Sequence, residues 1–341
     1  MTQKILIDGP DFEDFSVGQT LPSAPSITVT SGYAAQHQAL FADRMRLPLD
    51  QHLTQQITGS SNALVNPGLV CNLAIGQSTY ASQKVKGNLF YRGLVFRQPV
   101  YIGDTLTTTT NVVALKQNKI KEGRAATGMV VLEMTVTNQH NETVLHFWRC
   151  PMIPCRDPNA DTGKNDSFDA IPDQIDLASL QSSIPESWDL GRFNQQITGE
   201  HFEDIQEGAE YRVVSKDTIT SAPELVRFTL NMAKTHTDAS SSAYNKRLVY
   251  GGHTISMAAA QITRAFPNLV NVLAWRSCDH VAPVFEQDIL QTEIKVVAKQ
   301  PLKTGGLLDL HVEVFAERGP EAPKHDTHVK VLDWKVIALM S

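Results

Sequence analysis

Near the end of the chain, apolar and polar residues alternate with a period of two. In LLDLHVEVFAE (307–317) the apolar side carries Val312, Val314 and Phe315, and in THVKVLDWKVIAL (327–339) it carries Val329, Val331 and Trp334. Alternation of this kind predicts β-strands with one face on a core. TGMVVLEMTVTNQ (127–139) and ETVLHFW (142–148) read the same way. A different period appears in GGHTISMAAAQITRAF (251–266), where Ile255, Ala258, Ala259, Ile262 and Phe266 recur at helical spacing. Its alanines would let the helix lie close to a sheet. A second helix, also opened by a glycine turn, is predicted from NPGLVCNLAIGQSTYA (66–81).

These elements occur twice. FEDFSVG at 12–18 returns as FEDIQEG at 202–208, and both lead into β-rich stretches, SITVTS at 26–31 and DTITSA at 217–222. The offset is 190 residues for Phe12 and Phe202, and again for Thr30 and Thr220. PVYIGDTLTTTTNVV (99–113) then matches PVFEQDILQTEIKVV (283–297) at an offset of 184, so a loop of the second copy is six residues shorter. Three ordered matches at nearly one offset indicate a duplicated unit. Between the copies, residues 156–198 are polar and rich in Asp, Asn and Pro, which predicts a linker. The expected organisation is an N-terminal unit over 1–155 and a C-terminal unit over 199–341. Each would be an α+β unit in which an antiparallel sheet wraps one central helix, and the two sheets could pair side by side.

Composition narrows the partners. The 341 residues include 30 Lys and Arg against 36 Asp and Glu, a formal net charge of −6. No basic run supports a nucleic-acid surface, and no apolar run is long enough to span a bilayer. MTQKILIDGPDF has no apolar segment after its lysine, so no signal peptide is expected. Cys71, Cys150, Cys155 and Cys278 are too sparse for a disulfide framework or a zinc knuckle, which leads to the expectation of a cytoplasmic protein with reduced thiols. There is no P-loop, no GxGxxG after a strand and no HExxH. His325, Asp326 and His328 in KHDTH have metal-like spacing but sit between strands, where a solvated turn is expected and no metal.

The residues that carry chemistry cluster in TLNMAKTHTDASSSAYNKRLVYGGHTISMA (229–258). With FEDFxVG opening each half and PVxxGDTL after the first helix, this stretch resembles the MaoC-like acyl-CoA dehydratases in their tandem, double-hotdog form. N-x-A-x-x-H followed by RLVYGGHxIS is most similar to the mesaconyl-CoA hydratase and β-methylmalyl-CoA dehydratase group. The resemblance covers nearly the whole chain. It implies hydration or dehydration of an acyl-CoA, with CoA as part of the substrate and no separate cofactor. The family motif has Asp, then Asn-Pro, then His five positions after the Asp. Here His236 is present, Asn231 stands where the Asp should be, and the Asn-Pro is missing.

Hydrating an enoyl thioester requires an activated water at the β-carbon, a proton for the α-carbon and a stabilised thioester oxygen. His236 is the candidate acid/base, since imidazole suits proton transfer near neutral pH. The competing reading is a polar histidine at a helix end, among Thr235, Thr237 and Asp238. Asn231 could hold a water but cannot take a proton. Asp238 is the nearest carboxylate, though a helix cap is its plainer reading. Gly251 and Gly252 open a helix whose free N–H groups and dipole would polarise the thioester oxygen. The rival is a tight turn that merely needs glycine. His253, just inside that helix, is a lower-ranked polar contact. Lys246, Arg247, Arg276 and Arg97 are candidates for CoA phosphates or a substrate carboxylate.

At the 190-residue offset the first half has Arg46 for His236 and Phe41 for Asn231, with Asp43 but no fitting histidine nearby. It is expected to be a non-catalytic copy that shapes the acyl pocket. Two other functions remain open from the sequence. A thioesterase of this fold would lean on an acid on or near the central helix, which GGHTISMAAAQ lacks. A non-catalytic acyl-CoA-binding protein is kept open by the missing Asp. A homodimer is also expected, because paired halves leave further surface to bury.

Overall fold

The computed structural model of the protein describes residues 4–172, 174–318 and 327–341. The first half contains β1 (Ile27–Thr28), α1 (Ser31–Phe41), α2 (Arg46–Leu49), α3 (Gln51–Thr58) and α4 (Pro67–Gln77). The strands β2 (Gly87–Phe96), β3 (Thr105–Gln117), β4 (Thr127–Thr137) and β5 (Thr143–Pro154) come next. Two short helices, α5 (Leu177–Gln181) and α6 (Leu190–Gln196), lie in the connecting segment. The second half contains β6 (Glu210–Arg212), β7 (Asp217–Thr218), α7 (Ala222–Phe228) and α8 (Gly251–Ala265). Its long strands are β8 (Leu269–His280), β9 (Ile289–Pro301), β10 (Gly306–Glu317) and β11 (His328–Met340).

Each half is a hotdog, a curved antiparallel sheet around one long helix. The two sheets join edge to edge through β2 and β8, in register at Tyr91 with Cys278 and Val95 with Ala274. The result is one continuous sheet in the order β1-β3-β4-β5-β2-β8-β11-β10-β9-β6, with β7 also on β9. The 184-residue offset seen in the sequence maps β2 onto β8, so the repeats face each other across a pseudo-two-fold axis. On that axis the two long helices touch at equivalent positions: Asn72 Nδ2 of α4 donates to Ser256 Oγ of α8 at 2.8 Å.

The core explains the sequence patterns. In α4 every residue from Leu69 to Gln77 is buried, as expected of a helix enclosed by a sheet on one side and by its partner helix on the other. In α8, Ile255, Ala258 and Ile262 are buried, Phe266 caps the end, and Ala259 is half-buried. The alternation runs unbroken through most of β10 but is interrupted by a bulge in β11. Val314 pairs with Leu332, but the next residue, Phe315, pairs with Lys330, which leaves Val331 as the extra residue. One extra residue switches the inward parity. That reconciles Val331 and Trp334, both buried although three apart. Phe315 lies between the buried Val314 and Ala316 on the outward face of β10, and it stacks on His328 at 4.8 Å rather than entering the core. His325 and Asp326 of the KHDTH turn lie outside the described residues.

The segment expected to be a polar linker is more than a tether. Leu180, Trp188, Leu190 and Phe193 are buried in a cluster with Val95, Val270, Leu273, Leu307, Ile337 and Leu339. These partners belong to the central strands β2, β8, β10 and β11, on the face turned away from α4 and α8, where Leu47 of α2 and Leu53 and Ile57 of α3 join the same cluster. The connection therefore covers apolar surface that a bare sheet would expose. All four cysteines are buried free thiols. Among the described residues no helix is long and apolar enough to cross a membrane.

Candidate active site

A cavity of about 260 Å³ opens between the halves. One wall is the loop before α8 with the first turn of that helix, and the end of β8. The other wall is first-half structure: the end of α4, the turn after it, and β2 and β5. His236, Asn231 and Gly251 all reach this cavity, as do Tyr250, His280, Tyr91 and Arg149.

His236 ends a short 3-10 turn, Lys234–His236. Its Nδ1 lies 2.7 Å from the carbonyl of Leu248. A carbonyl only accepts, so Nδ1 carries the hydrogen and the neutral ring keeps its lone pair on Nε2. Nε2 meets no hydrogen-bond partner among the described residues. Burial pushes the imidazolium down to about 4, against the opposing pull of the Leu248 carbonyl. The ring is therefore neutral at pH 7 and available as a base.

Asn231 is held by the backbone on both sides. Its N–H donates to Val226 O at 3.0 Å, while its Oδ1 accepts from Ala233 N at 2.9 Å. Leu230 before it adopts a left-handed conformation, φ 59°, which turns the chain sharply into this loop. That contact fixes the orientation of the amide and uses one of the two lone pairs on Oδ1. Its amide N–H groups meet no acceptor among the described residues, so they are free to donate to a water or a hydroxyl in the cavity.

The glycine pair divides its duties. Gly251 lies in the cavity wall, and a Cβ there would sit 2.3 Å from Nε2 of His280. A Cβ on Gly252 would instead meet Oδ1 of Asn72 at 2.0 Å and the Tyr250 ring at 2.6 Å. Glycine at 252 thus serves the close crossing of α4 and α8, and its side-chain position is outside the cavity wall. Neither N–H of the pair meets an acceptor among the described residues. Both open the 15-residue helix α8, whose dipole places partial positive charge there.

Four residues that sequence reasoning missed complete the site. Tyr250, the N-cap of α8, lies 5.6 Å from the His236 ring, centroid to centroid, and its buried hydroxyl has no partner. Burial holds that phenol well above its ordinary pKa, so it stays a neutral donor. His280 is half-buried, its Nε2 is buried and unpartnered, and desolvation followed by the charge of His236 pushes it down to about 4. Tyr91 packs edge-on against His280 at 6.1 Å. Arg149 on β5 is only 3% exposed. Tyr250 adjoins the glycine pair, a weak signal in the sequence. The other three come from strands, and no local pattern marks them.

Several predicted contacts lie elsewhere. Asp238 is exposed and caps the next turn, accepting from Ser240 N at 2.9 Å, Ser240 Oγ and Ser241 Oγ, which hold its pKa down. His253 is buried outside the cavity, donating from Nε2 to Thr220 O at 2.9 Å and packing on Phe41. Arg276 is paired with Asp309 at 2.9 Å and donates to Ile175 O on the linker side. The cause is a bulge: Lys335 and Val336 pair with Ser277 and Trp275, skipping Arg276 and turning it to the outer face. Arg97 is exposed just past β2, about 20 Å along the strand from Tyr91. Arg247 pairs with Glu286, and Lys246 is exposed beside it. Both precede Leu248, a cavity residue, so they belong to the rim. Lys86, also at the protein surface, is in the wall itself.

The pseudo-symmetric position in the first half is a small pocket of about 20 Å³. At the 184-residue offset, Gly251 becomes Pro67, Thr254 becomes Val70 and His280 becomes Phe96. Proline has no N–H to offer, and the Asn66 side chain already caps Gly68 N at 2.8 Å. Trp188 and Ser183 of the connecting segment fill the rest. Arg46, which stands at the offset for His236, binds Pro267 O at the surface. Among the described residues, one metal-capable group, His311, Glu313 and Asp333, gathers on β10 and β11, but Lys330 already pairs with both of its carboxylates.

Comparison with known proteins agrees with this architecture. A sequence model of the mesaconyl-CoA hydratase family matches residues 4–265. The β-methylmalyl-CoA dehydratase of Chloroflexus aurantiacus is 30% identical over 302 residues, covering 86% of this chain and 84% of that one. A conserved hypothetical protein of Mycobacterium tuberculosis, described as a double hotdog, superimposes with a TM-score of 0.88 and 42% identity, covering 99% and 100% of the two chains. A MaoC domain protein from Chloroflexus aurantiacus, described as a dehydratase, gives a TM-score of 0.84 at 28% identity over 97% of each chain. The shared sequence over most of its length and the double-hotdog architecture establish that this chain belongs to the mesaconyl-CoA hydratase family of hydro-lyases.

Proposed function

We propose that the protein hydrates a 2-enoyl-CoA, or dehydrates the corresponding 3-hydroxyacyl-CoA, at the cavity between its halves, with a branched dicarboxylyl thioester such as mesaconyl-CoA as the substrate. The observation that carries this reading is the Nδ1 contact of His236 with Leu248 O, which leaves Nε2 as the base beside an unpaired helix N-terminus.

The chemistry is built from these groups. His236 Nε2 takes a proton from water as the water oxygen bonds to the β-carbon. Negative charge passes through the α-carbon to the thioester oxygen, where Gly251 N–H and the α8 dipole offset it. The imidazolium then returns the proton to the α-carbon. The same proton leaves and comes back, so one titratable group suffices and no carboxylate is required at position 231. Asn231 Nδ2 donates to the attacking oxygen and orients it. The low pKa of His236 makes its protonated form a ready donor in the second step. Lys86, Lys246 and Arg247, at the rim, are the cations proposed to meet the CoA phosphates.

His236→Gln should lower kcat/KM for hydration by ~10²–10⁴, the usual contribution of a positioned acid/base. Loss of the enoyl absorbance of mesaconyl-CoA and crotonyl-CoA reports it. Turnover unchanged by this substitution would refute the assignment, and release of free thiol from an acyl-CoA would indicate a thioesterase instead.

A further inference from the structure

Among the described residues, the cavity holds one deeply buried cation and no anion. Arg149 is 3% exposed, yet Nη2 is its only nitrogen with hydrogen bonds, to Ser78 O at 3.0 Å and Ser82 Oγ at 3.1 Å. Its Nε is buried without a partner, and Nη1 meets no acceptor among the described residues. No described Asp or Glu lines the cavity, and none pairs with Arg149. The other arginines of the central strands do have such partners: Arg92 has Asp279 and Arg276 has Asp309.

A guanidinium does not shed its proton in a protein. Burying that charge without a counter-ion is costly, so the arrangement is stable only if something else brings the negative charge. On the hydration reading, the phosphates of CoA meet the exposed cations at the rim, Lys86, Lys246 and Arg247. The acyl group is the part of the substrate that enters, and a carboxylate on it would find a planar fork with free donors, the geometry that binds carboxylates in a bidentate manner. The unpartnered hydroxyl of Tyr250 is a further donor in the same wall.

We infer that Arg149 binds a free carboxylate on the acyl group, and that the protein thereby selects carboxylate-bearing enoyl-CoA thioesters over neutral ones of equal size. This rests on the hydration reading above and adds the residue that sets specificity. It also divides the labour between the halves. The base and the helix N-terminus come from the second half, and the residue that recognises the acyl end comes from β5 of the first.

The test compares mesaconyl-CoA, its carboxylate methyl ester and crotonyl-CoA with the wild-type protein, Arg149→Met and Arg149→Lys. The wild type should favour mesaconyl-CoA over its ester by ~100-fold or more in kcat/KM, because the ester removes the charge and keeps the shape. Arg149→Met should bring that ratio close to one. Arg149→Lys keeps a charge without the fork and should lose about tenfold of it. A wild type that handles ester and acid equally would overturn the inference without any variant. So would a folded Arg149→Met protein, checked by thermal melting, with an unchanged ratio. If Arg149→Met does not fold, the lysine variant decides, and an unaltered ratio there refutes the role. If no thioester is hydrated, the hydration reading fails by itself. Calorimetric affinities for the saturated acid and its methyl ester then still judge Arg149: a preference for the acid supports it, and equal affinities reject it.

Discussion

At the scale of single residues, the site turns on which atoms are already engaged. His236 could be recognised as a candidate base from its motif, but its tautomer depends on the Leu248 carbonyl, twelve positions away. The same holds for Asn231, whose Oδ1 accepts from Ala233 N. An Asp at 231 would accept that N–H with one oxygen and present the other to the cavity as an anion. Asn231→Asp should therefore stabilise the imidazolium of His236 and raise its pKa from about 4 towards the ordinary 6.5. The acid limb of the kcat/KM profile should move to higher pH by one unit or more. A limb that stays in place would show that His236 is not the titrating base. Arg149 and His280 were illegible in the sequence for a plain reason. An arginine or histidine in a strand carries no mark of what lies opposite it, and both gain meaning only from the cavity they face.

At the scale of elements, the helices and strands could be read from periodicity, whereas the exceptions came from bulges. Arg276 and Val331 are single extra residues that reverse the facing of the next residues in their strands, and alternation counted along one strand does not reveal them. The connecting segment is the other exception. Its composition is polar, yet its few apolar residues are the ones that pack. Leu180, Trp188, Leu190 and Phe193 close the outer face of the central strands, and Trp188 also occupies the first half's counterpart of the active cavity. Phe193→Ala should destabilise the protein by ~3–5 kcal/mol, the cost of emptying a buried aromatic site. Denaturant unfolding measures this. A loss below ~1 kcal/mol would mean that the segment contributes little to the fold.

At the scale of the whole molecule, the duplicated halves share one sheet, and their helices cross with the buried His37 and His253 and the half-buried His236 and His280 around them. Burial pushes His37 down to about 3 and His236, His253 and His280 to about 4, with the charge of a neighbouring histidine adding to the shift in His37 and His280. Unfolded, each would titrate near 6.5. Between those values the unfolded chain binds protons that the native protein does not, so stability rises with pH in that window. It should fall as the pH drops from about 6.5 towards 4, by up to ~1.4 kcal/mol per pH unit for each histidine. Urea titrations at a series of pH values would show this. A flat profile over that range would contradict the desolvated, neutral state of these rings.

The sequence by itself determined the duplication, the alternation of strands, the two central helices and the loop that holds His236. These are local or periodic properties, and each residue's neighbours along the chain are enough to express them. Only the tertiary structure decided where the cavity lies, that Gly251 borders it while Gly252 serves the helix crossing, and that Arg149 reaches it from the other half. The physical reason is that the site forms at the contact of the two halves. Its walls come from residues far apart along the chain, and which of their donors and charges remain unsatisfied is settled only when the sheet closes.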